Sequence, residues 1–266
     1  METYLMKINK LLSVSLLGLA FHSQAWALDQ NHGIWDSIIK KNVVSSQGGA
    51  VTRINYAKIK HNPSELDSYL RQLSAVSKSE FSKWSKDQQL SFLINAYNAF
   101  TVKLVVDAYP VKSIKDIGGL ISSPWKKKFF ELLGDSFSLD NIEHDTIRKN
   151  YDEPRIHFAV NCASIGCPPL RAEAYVAQKL SGQLQEQATL FFGNTQENQF
   201  VAGESTLKLS SLLKWYKGDF SKSGDEGLVT YVGAFLPSLR DALKTTNPNQ
   251  IKVKFNDYDW NLNETK

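Results

Sequence analysis

Cysteine and methionine are each scarce in this chain, neither charge sign dominates, and only one apolar run is long enough to notice. With two cysteines, Cys162 and Cys167, among 266 residues, a small fold stapled by many disulfides is excluded. A total of 31 Lys and Arg against 27 Asp and Glu leaves a formal charge of +4. That surplus is mild and spread along the chain, and no recognition motif accompanies it, so no nucleic-acid partner is expected. Its one cluster, Lys126-Lys-Lys128 followed by Phe129-Phe130, reads as a solvated loop edge. The apolar run Leu11 to Phe21 is about eleven residues, well short of the roughly 20 that a spanning helix needs.

That run sits inside an address rather than a fold. Lys7 and Lys10 form a positive start, Leu11 to Phe21 the apolar stretch, and Ala25-Trp-Ala27 a small-x-small cleavage site, so residues 1–27 read as a secretory signal peptide. Met6 is an alternative start that leaves the reading unchanged. No cysteine follows Ala27, so a lipid anchor there is excluded. The expected product is periplasmic or secreted, has no stable membrane insertion after signal removal, and forms a single domain over 28–266.

The pattern of that domain is α+β, mainly helical with a small antiparallel sheet. Asn31 is placed to cap a helix over Ile34 to Ile39, and Ser64 one through Leu66, Tyr69, Leu70 and Leu73. After Ser85, the residues Leu90, Leu93, Ile94, Tyr97, Thr101, Leu104, Val105 and Ala108 recur at helical spacing up to Pro110 and predict the spine of the core. Asn95 and Asn98 interrupt that spine. A buried amide must find partners, so Asn98 is expected to tie down a loop, with orientation of a catalytic imidazole or an oxyanion as the functional alternative.

The stretch after Pro110 is loop-rich and suited to the wall of a cleft. Phe129 to Ser138 around Gly134-Asp135 predicts a hairpin. A short helix is expected over Leu139 to Lys149, with Glu143 three residues after Asp140 as a capping acid would be, His144 beside it and Arg148 one turn on. Ala177 to Phe192 predicts a helix, Phe200-Val-Ala, Thr206 to Leu209 and Ile251 to Phe255 strands, and Leu228 to Leu243 a helix restarting at Pro237.

The most informative segment is Arg155-Ile-His-Phe-Ala-Val-Asn-Cys-Ala-Ser-Ile-Gly-Cys-Pro-Pro-Leu170. It holds both cysteines, the first of them, Cys162, five residues beyond His157. A disulfide, a functional thiol and two inert buried cysteines are all open here. Taken with Phe92-Leu-Ile-Asn-Ala-Tyr-Asn-Ala99, Tyr109-Pro-Val-Lys-Ser-Ile114, Leu139-Asp-Asn-Ile-Glu-His144 with Arg148, and Tyr258-Asp-Trp-Asn-Leu262, the chain resembles the DUF547 family from about Trp35 onward. The resemblance implies the domain and carries no activity. Glu143, His144, Arg148, His157, Cys162, Ser164, Cys167 and Pro168 match the family pattern.

Chemistry is therefore argued from the residues. A thiol hydrolase or acyl transferase acting on an amide or ester of the cell envelope needs a nucleophile, a base, an orienting group and oxyanion donors. Cys167 is the preferred nucleophile, because Gly166 permits a tight exposed turn and Pro168 fixes the exit, while Cys162 continues an apolar segment. His144, on a helix end, is preferred to His157 as base, with Glu143 or an Asn holding the ring. Asn95, Asn98, Arg148 and Ser164 are the binding candidates. Zinc ligation by two Cys and two His is disfavoured, since the C-x5-C spacing is wider than the usual knuckle, and no cofactor is implied. The alternative is a non-catalytic binding or scaffold module closed by a Cys162–Cys167 disulfide, with Trp125, Trp215, Tyr216 and Phe220 as aromatic surface for an envelope ligand or protein partner.

Overall fold

A computed structural model describes residues 28–118 and 123–265, so the expected leader 1–27 lies outside the described residues. The organising element is the helix Lys86–Ala108, whose residues from Leu90 to Val102 are all buried. Its start is fixed by a reciprocal cap: the Gln88 amide donates to Ser85 Oγ at 3.2 Å, and the Ser85 amide to Gln88 Oε1 at 2.9 Å. Helices Gly33–Asn42, Tyr56–His61 and Ser64–Ala75 pack around it and bury Trp35, Tyr56, Tyr69 and Leu73. The first helix is anchored by Asp29 rather than Asn31, since the Asn31 and Gly33 amides both donate to the Asp29 carboxylate.

The sheets are small and peripheral. Val43–Ser46 pairs antiparallel with Val51–Ile54, and Phe130–Leu132 with Asp135–Phe137 around the turn Leu133-Gly134. Gly134 has φ of 83°, the left-handed conformation that this hairpin turn requires. The third sheet is mixed rather than antiparallel throughout: Thr206–Leu209 lies between antiparallel Gln199–Val201 and parallel Lys252–Phe255. Val43–Ser46 escaped the sequence reading because its own pattern is weak; the pairing partner, Val51–Ile54, is what makes it a strand.

A second apolar cluster gathers Phe158, Phe191, Phe192, Leu213, Leu228, Val232 and Leu239 beneath the helices Leu180–Gly193, Gly224–Gly233 and Pro237–Ala242. The expected continuous helix up to Leu243 is thus broken, with Pro237 opening the second piece at its first turn. Between the two clusters run the residues that carry the site. Pro154–Phe158 is a short 3-10 helix that buries His157 and Phe158, and Asn141–Ile147 is a widened π-helical turn. Such turns concentrate where a side chain must be re-aimed. The final segment, Asp257 to Thr265, lies across the cysteine loop: the Ile165 amide donates to Asn261 O at 2.8 Å and the Gly166 amide to Asp259 O at 2.9 Å. Gly166 is required by this crossing, because a Cβ there would come within 3.0 Å of the Tyr258 ring and 3.1 Å of the Asp259 nitrogen.

Candidate functional site

A cleft of about 240 Å3 opens between the cysteine loop, the π-helical turn and the final segment. Its walls are aromatic. Trp215 is 48% exposed and stacks on Trp260 with centroids 5.7 Å apart, Tyr258 lies 4.5 Å from Trp260, and Trp125 meets Trp260 edge-on at 5.7 Å. The loop after Pro110 thus does supply a wall through Trp125; residues 119–122 of that loop lie outside the described residues.

The floor is a charged cluster built on His157. This ring is 1% exposed and lies flat on Tyr216 at 3.8 Å between centroids. Its Nε2 sits 2.7 Å from Asp219 Oδ2, while its Nδ1 has no hydrogen-bond partner among the described residues and faces Glu143 Oε1 at 3.8 Å. Arg148 grips Asp219 with two bonds, Nε to Oδ2 at 2.6 Å and Nη2 to Oδ1 at 2.9 Å. With His157 and Arg148 both at hand, the Asp219 carboxyl is held far below the usual carboxylate range. Glu143, buried rather than exposed at a helix cap, accepts the Tyr216 hydroxyl at 2.7 Å. Burial first, and then the Glu143 charge, pushes the Tyr97 and Tyr216 hydroxyls up, so both remain protonated donors. His144 stands higher on the wall, where Arg148 Nη1 donates to its Nδ1 at 3.1 Å. Burial raises the neighbouring Asp140 carboxyl above its ordinary value.

Cys162 and Cys167 are joined in a disulfide, with Cα atoms 6.1 Å apart. Cys162 lines the cleft with Glu143, His144 and His157, whereas Cys167 does not, and its sulfur accepts the Cys162 amide at 2.9 Å. Both sulfurs touch the hydroxyls of Ser164 and Tyr258, and no hydrogen bond joins either sulfur to an imidazole among the described residues. The two amides of the spine lie elsewhere. Asn98 donates to Ala159 O at 2.9 Å and accepts the Asn161 amide at 2.8 Å; Asn95 donates to Tyr175 O at 2.7 Å and accepts the Tyr175 amide at 3.0 Å. Each closes a loop onto the helix with both its Nδ2 and its Oδ1 engaged on backbone groups.

Sequence reasoning brings Glu143, His144, Arg148, His157, Cys162 and Ser164 to this one region, and leaves Asn95 and Asn98 under it as ties. It passes over Asp219, Tyr97, Tyr258 and Trp260. The signals available were the acid inside Trp215-Tyr-Lys-Gly-Asp-Phe220 and the aromatic pair in Tyr258-Asp-Trp260.

Residues 81–192 match the family described as "Protein of unknown function, DUF547", a span that contains the spine helix, the π-helical turn, His157 and both cysteines. Asp219, Trp215, Tyr216, Tyr258 and Trp260 fall outside the matched span. Neither the curated proteins nor the solved structures provide a match to the chain.

Proposed function

The segment 81–192 belongs to the DUF547 family, whose function is unknown, and on that premise we propose that the chain is an exported recognition domain whose cleft binds a neutral, hydroxyl-bearing ring, a saccharide unit of the cell envelope. The observation that carries this reading is the floor of the cleft. A buried imidazole nitrogen without a partner faces a carboxylate oxygen 3.8 Å away. A hydroxyl both donates and accepts, so it can meet the carboxylate oxygen as a donor and the imidazole nitrogen as a donor or an acceptor, whichever tautomer the ring adopts.

Charge and size narrow the ligand further. Asp219 is already paired with the Arg148 guanidinium, and Lys115 Nζ already covers the Trp260 ring at 3.8 Å, which argues against a cationic ligand. The volume lies below the roughly 300–1,000 Å3 of pockets that swallow a drug-sized molecule, so the cleft takes one ring of a longer ligand. Exposed flat faces such as that of Trp215 suit the apolar side of a sugar ring. The disulfide supports recognition over nucleophilic catalysis, because bridged sulfurs offer no thiolate. The export part of the reading is supported by the leader-like residues 1–27.

Titration of the oxidised protein with N-acetylglucosamine oligomers, read by tryptophan fluorescence and calorimetry, tests this reading. Saturable binding weakened in Trp215→Ala and Glu143→Gln proteins supports it, and absence of binding up to millimolar oligomer removes it.

A second reading is favoured by the placement of Cys162 beside Glu143, His144 and His157. In a reduced protein the Cys162 thiol shares the cleft with two imidazoles, the arrangement of a thiol hydrolase or acyl transferase. Its test is turnover of an activated ester by reduced protein that is abolished in Cys162→Ser; equal turnover by both proteins eliminates it.

A further inference from the structure

The surroundings of the two sulfurs differ, and the difference has a direction. Cys162 is partly exposed and forms part of the cleft wall, so an incoming group reaches its sulfur from the cleft. Cys167 is partly exposed too but does not line the cleft, and its Sγ accepts the backbone N–H of Cys162 at 2.9 Å. The hydroxyls of Ser164 and Tyr258 stand 3.2 and 3.3 Å from the same sulfur. Those hydroxyls also touch Cys162 Sγ, at 3.3 and 3.1 Å, so they are shared; the amide N–H belongs to Cys167 alone. Burial keeps the Tyr258 hydroxyl protonated well above the ordinary phenol range, which preserves it as a donor.

Thiol–disulfide exchange proceeds by attack of a thiolate on one sulfur with departure of the other, and the sulfur better stabilised as an anion leaves faster. The Cys162 N–H and the Tyr258 hydroxyl both donate to Cys167 Sγ, and Ser164 Oγ donates in turn to the Tyr258 oxygen at 3.0 Å, a relay of the kind that stabilises a thiolate. We propose that Cys162–Cys167 is an exchange-active disulfide, reduced by a thiol-bearing donor that attacks Cys162 from the cleft and expels Cys167 as its thiolate. The donor enters as RS−, its proton lost to water. Its sulfur forms a bond to Cys162 Sγ, the Sγ–Sγ bond breaks, and the electron pair of that bond stays on Cys167. A second thiolate of the donor then attacks the donor's own sulfur, forming the donor disulfide and releasing Cys162 as a thiolate. The donor is oxidised by two electrons, and the protein takes them up as two thiols. The substrate class is a dithiol, or two molecules of a monothiol, and the reverse direction oxidises such a substrate with the same roles for the two cysteines. The proposal stands on the sulfur environment and holds whether or not a saccharide occupies the cleft.

The test uses the full folded protein with reduced glutathione in native buffer, acid quenching, alkylation and mass mapping of each cysteine over time. The expected result is reduction of the folded protein at millimolar glutathione, with the early mixed disulfide on Cys162 and the first alkylatable thiol on Cys167. Ser164→Ala, which removes one hydroxyl without adding bulk, slows the exchange severalfold. In denaturant both the preference for Cys162 and the Ser164→Ala effect vanish, which separates them from intrinsic peptide chemistry. Resistance of the folded protein to reduction, early glutathione on Cys167, an even split, or an unchanged rate in folded Ser164→Ala each overturn the proposal. Saccharide titration of the same oxidised protein gives an independent result, so loss of one idea leaves the other distinguishable.

Discussion

Two groups of polar side chains lie close together in this molecule, and they end differently. On the spine helix, Asn95 and Asn98 are 0% and 2% exposed and use both faces of their amides on backbone partners of one loop each. At the cleft floor, Glu143, His157, Asp219 and Arg148 are bonded to each other and to Tyr216, yet His157 Nδ1 is left over. The first group is closed and behaves as structure. The second retains hydrogen-bonding capacity beside a cleft, which makes it the place to look for a ligand.

The largest effect that sharpens this contrast comes from the closed group. Replacing Asn98 by Ala strands Ala159 O and the Asn161 amide in the core, two orphaned groups that cost about 4 kcal/mol together. Denaturant unfolding reads this loss, and saccharide affinity of the remaining folded protein stays unchanged. A comparable affinity loss in folded Asn98→Ala would erase the distinction between the two groups.

His32 tests the converse, a leftover polar atom with no cleft around it. Its Nδ1 pairs with the Tyr69 hydroxyl at 2.7 Å while Nε2 has no partner, and burial lowers its pKa from the ordinary 6.5 to about 4. The folded state resists protonating this ring, so the unfolded chain binds the extra proton between these values. Stability present above pH 6.5 is therefore lost as pH falls toward 4, by up to about 3 kcal/mol. Unfolding free energies across this window, compared between the native protein and His32→Gln, check the sign: the variant shows the shallower slope.

At the floor itself the effects are smaller on stability and larger on binding. Glu143→Gln keeps the shape, removes the charge that accepts the Tyr216 hydroxyl, and weakens saccharide binding by about 1.5 kcal/mol, more than tenfold, read by calorimetry. The smallest effect belongs to the rim. Trp215→Ala costs about 1 kcal/mol of binding and leaves the unfolding midpoint within about 0.5 kcal/mol of the native protein, because this ring is half in solvent.

The same contrast explains what could be read from the sequence. The spine helix was legible because its apolar spacing, the Ser85 start and the stop before Pro110 agree, and the tie made by Asn98 follows from an amide near an apolar face. The α+β class and the hairpin at Gly134 were legible for similar local reasons. His157 reads as a core residue by its alternation with Phe158, and it is buried, but its 3-10 turn is what aims Nδ1 at Glu143. Asp219 and Tyr258 carry only the weak local signal of an acid and an aromatic within aromatic-rich segments. Each is an ordinary residue on a separate segment, brought to His157 or to the sulfurs across 62 and 91 residues of chain by packing alone. Gly166 was legible as a turn, while its actual necessity comes from the passage of Tyr258 over it, a tertiary contact with no local pattern. The pairing of Val43–Ser46 was lost for the same reason.

The most direct measurement is nitrogen-15 NMR of the oxidised, histidine- and asparagine-labelled protein titrated with an N-acetylglucosamine tetramer. The leftover His157 Nδ1 is predicted to shift saturably with the ligand while the Asn98 side-chain amide stays in place. A ligand that saturates the protein without moving His157 Nδ1, or that moves Asn98 instead, contradicts the account.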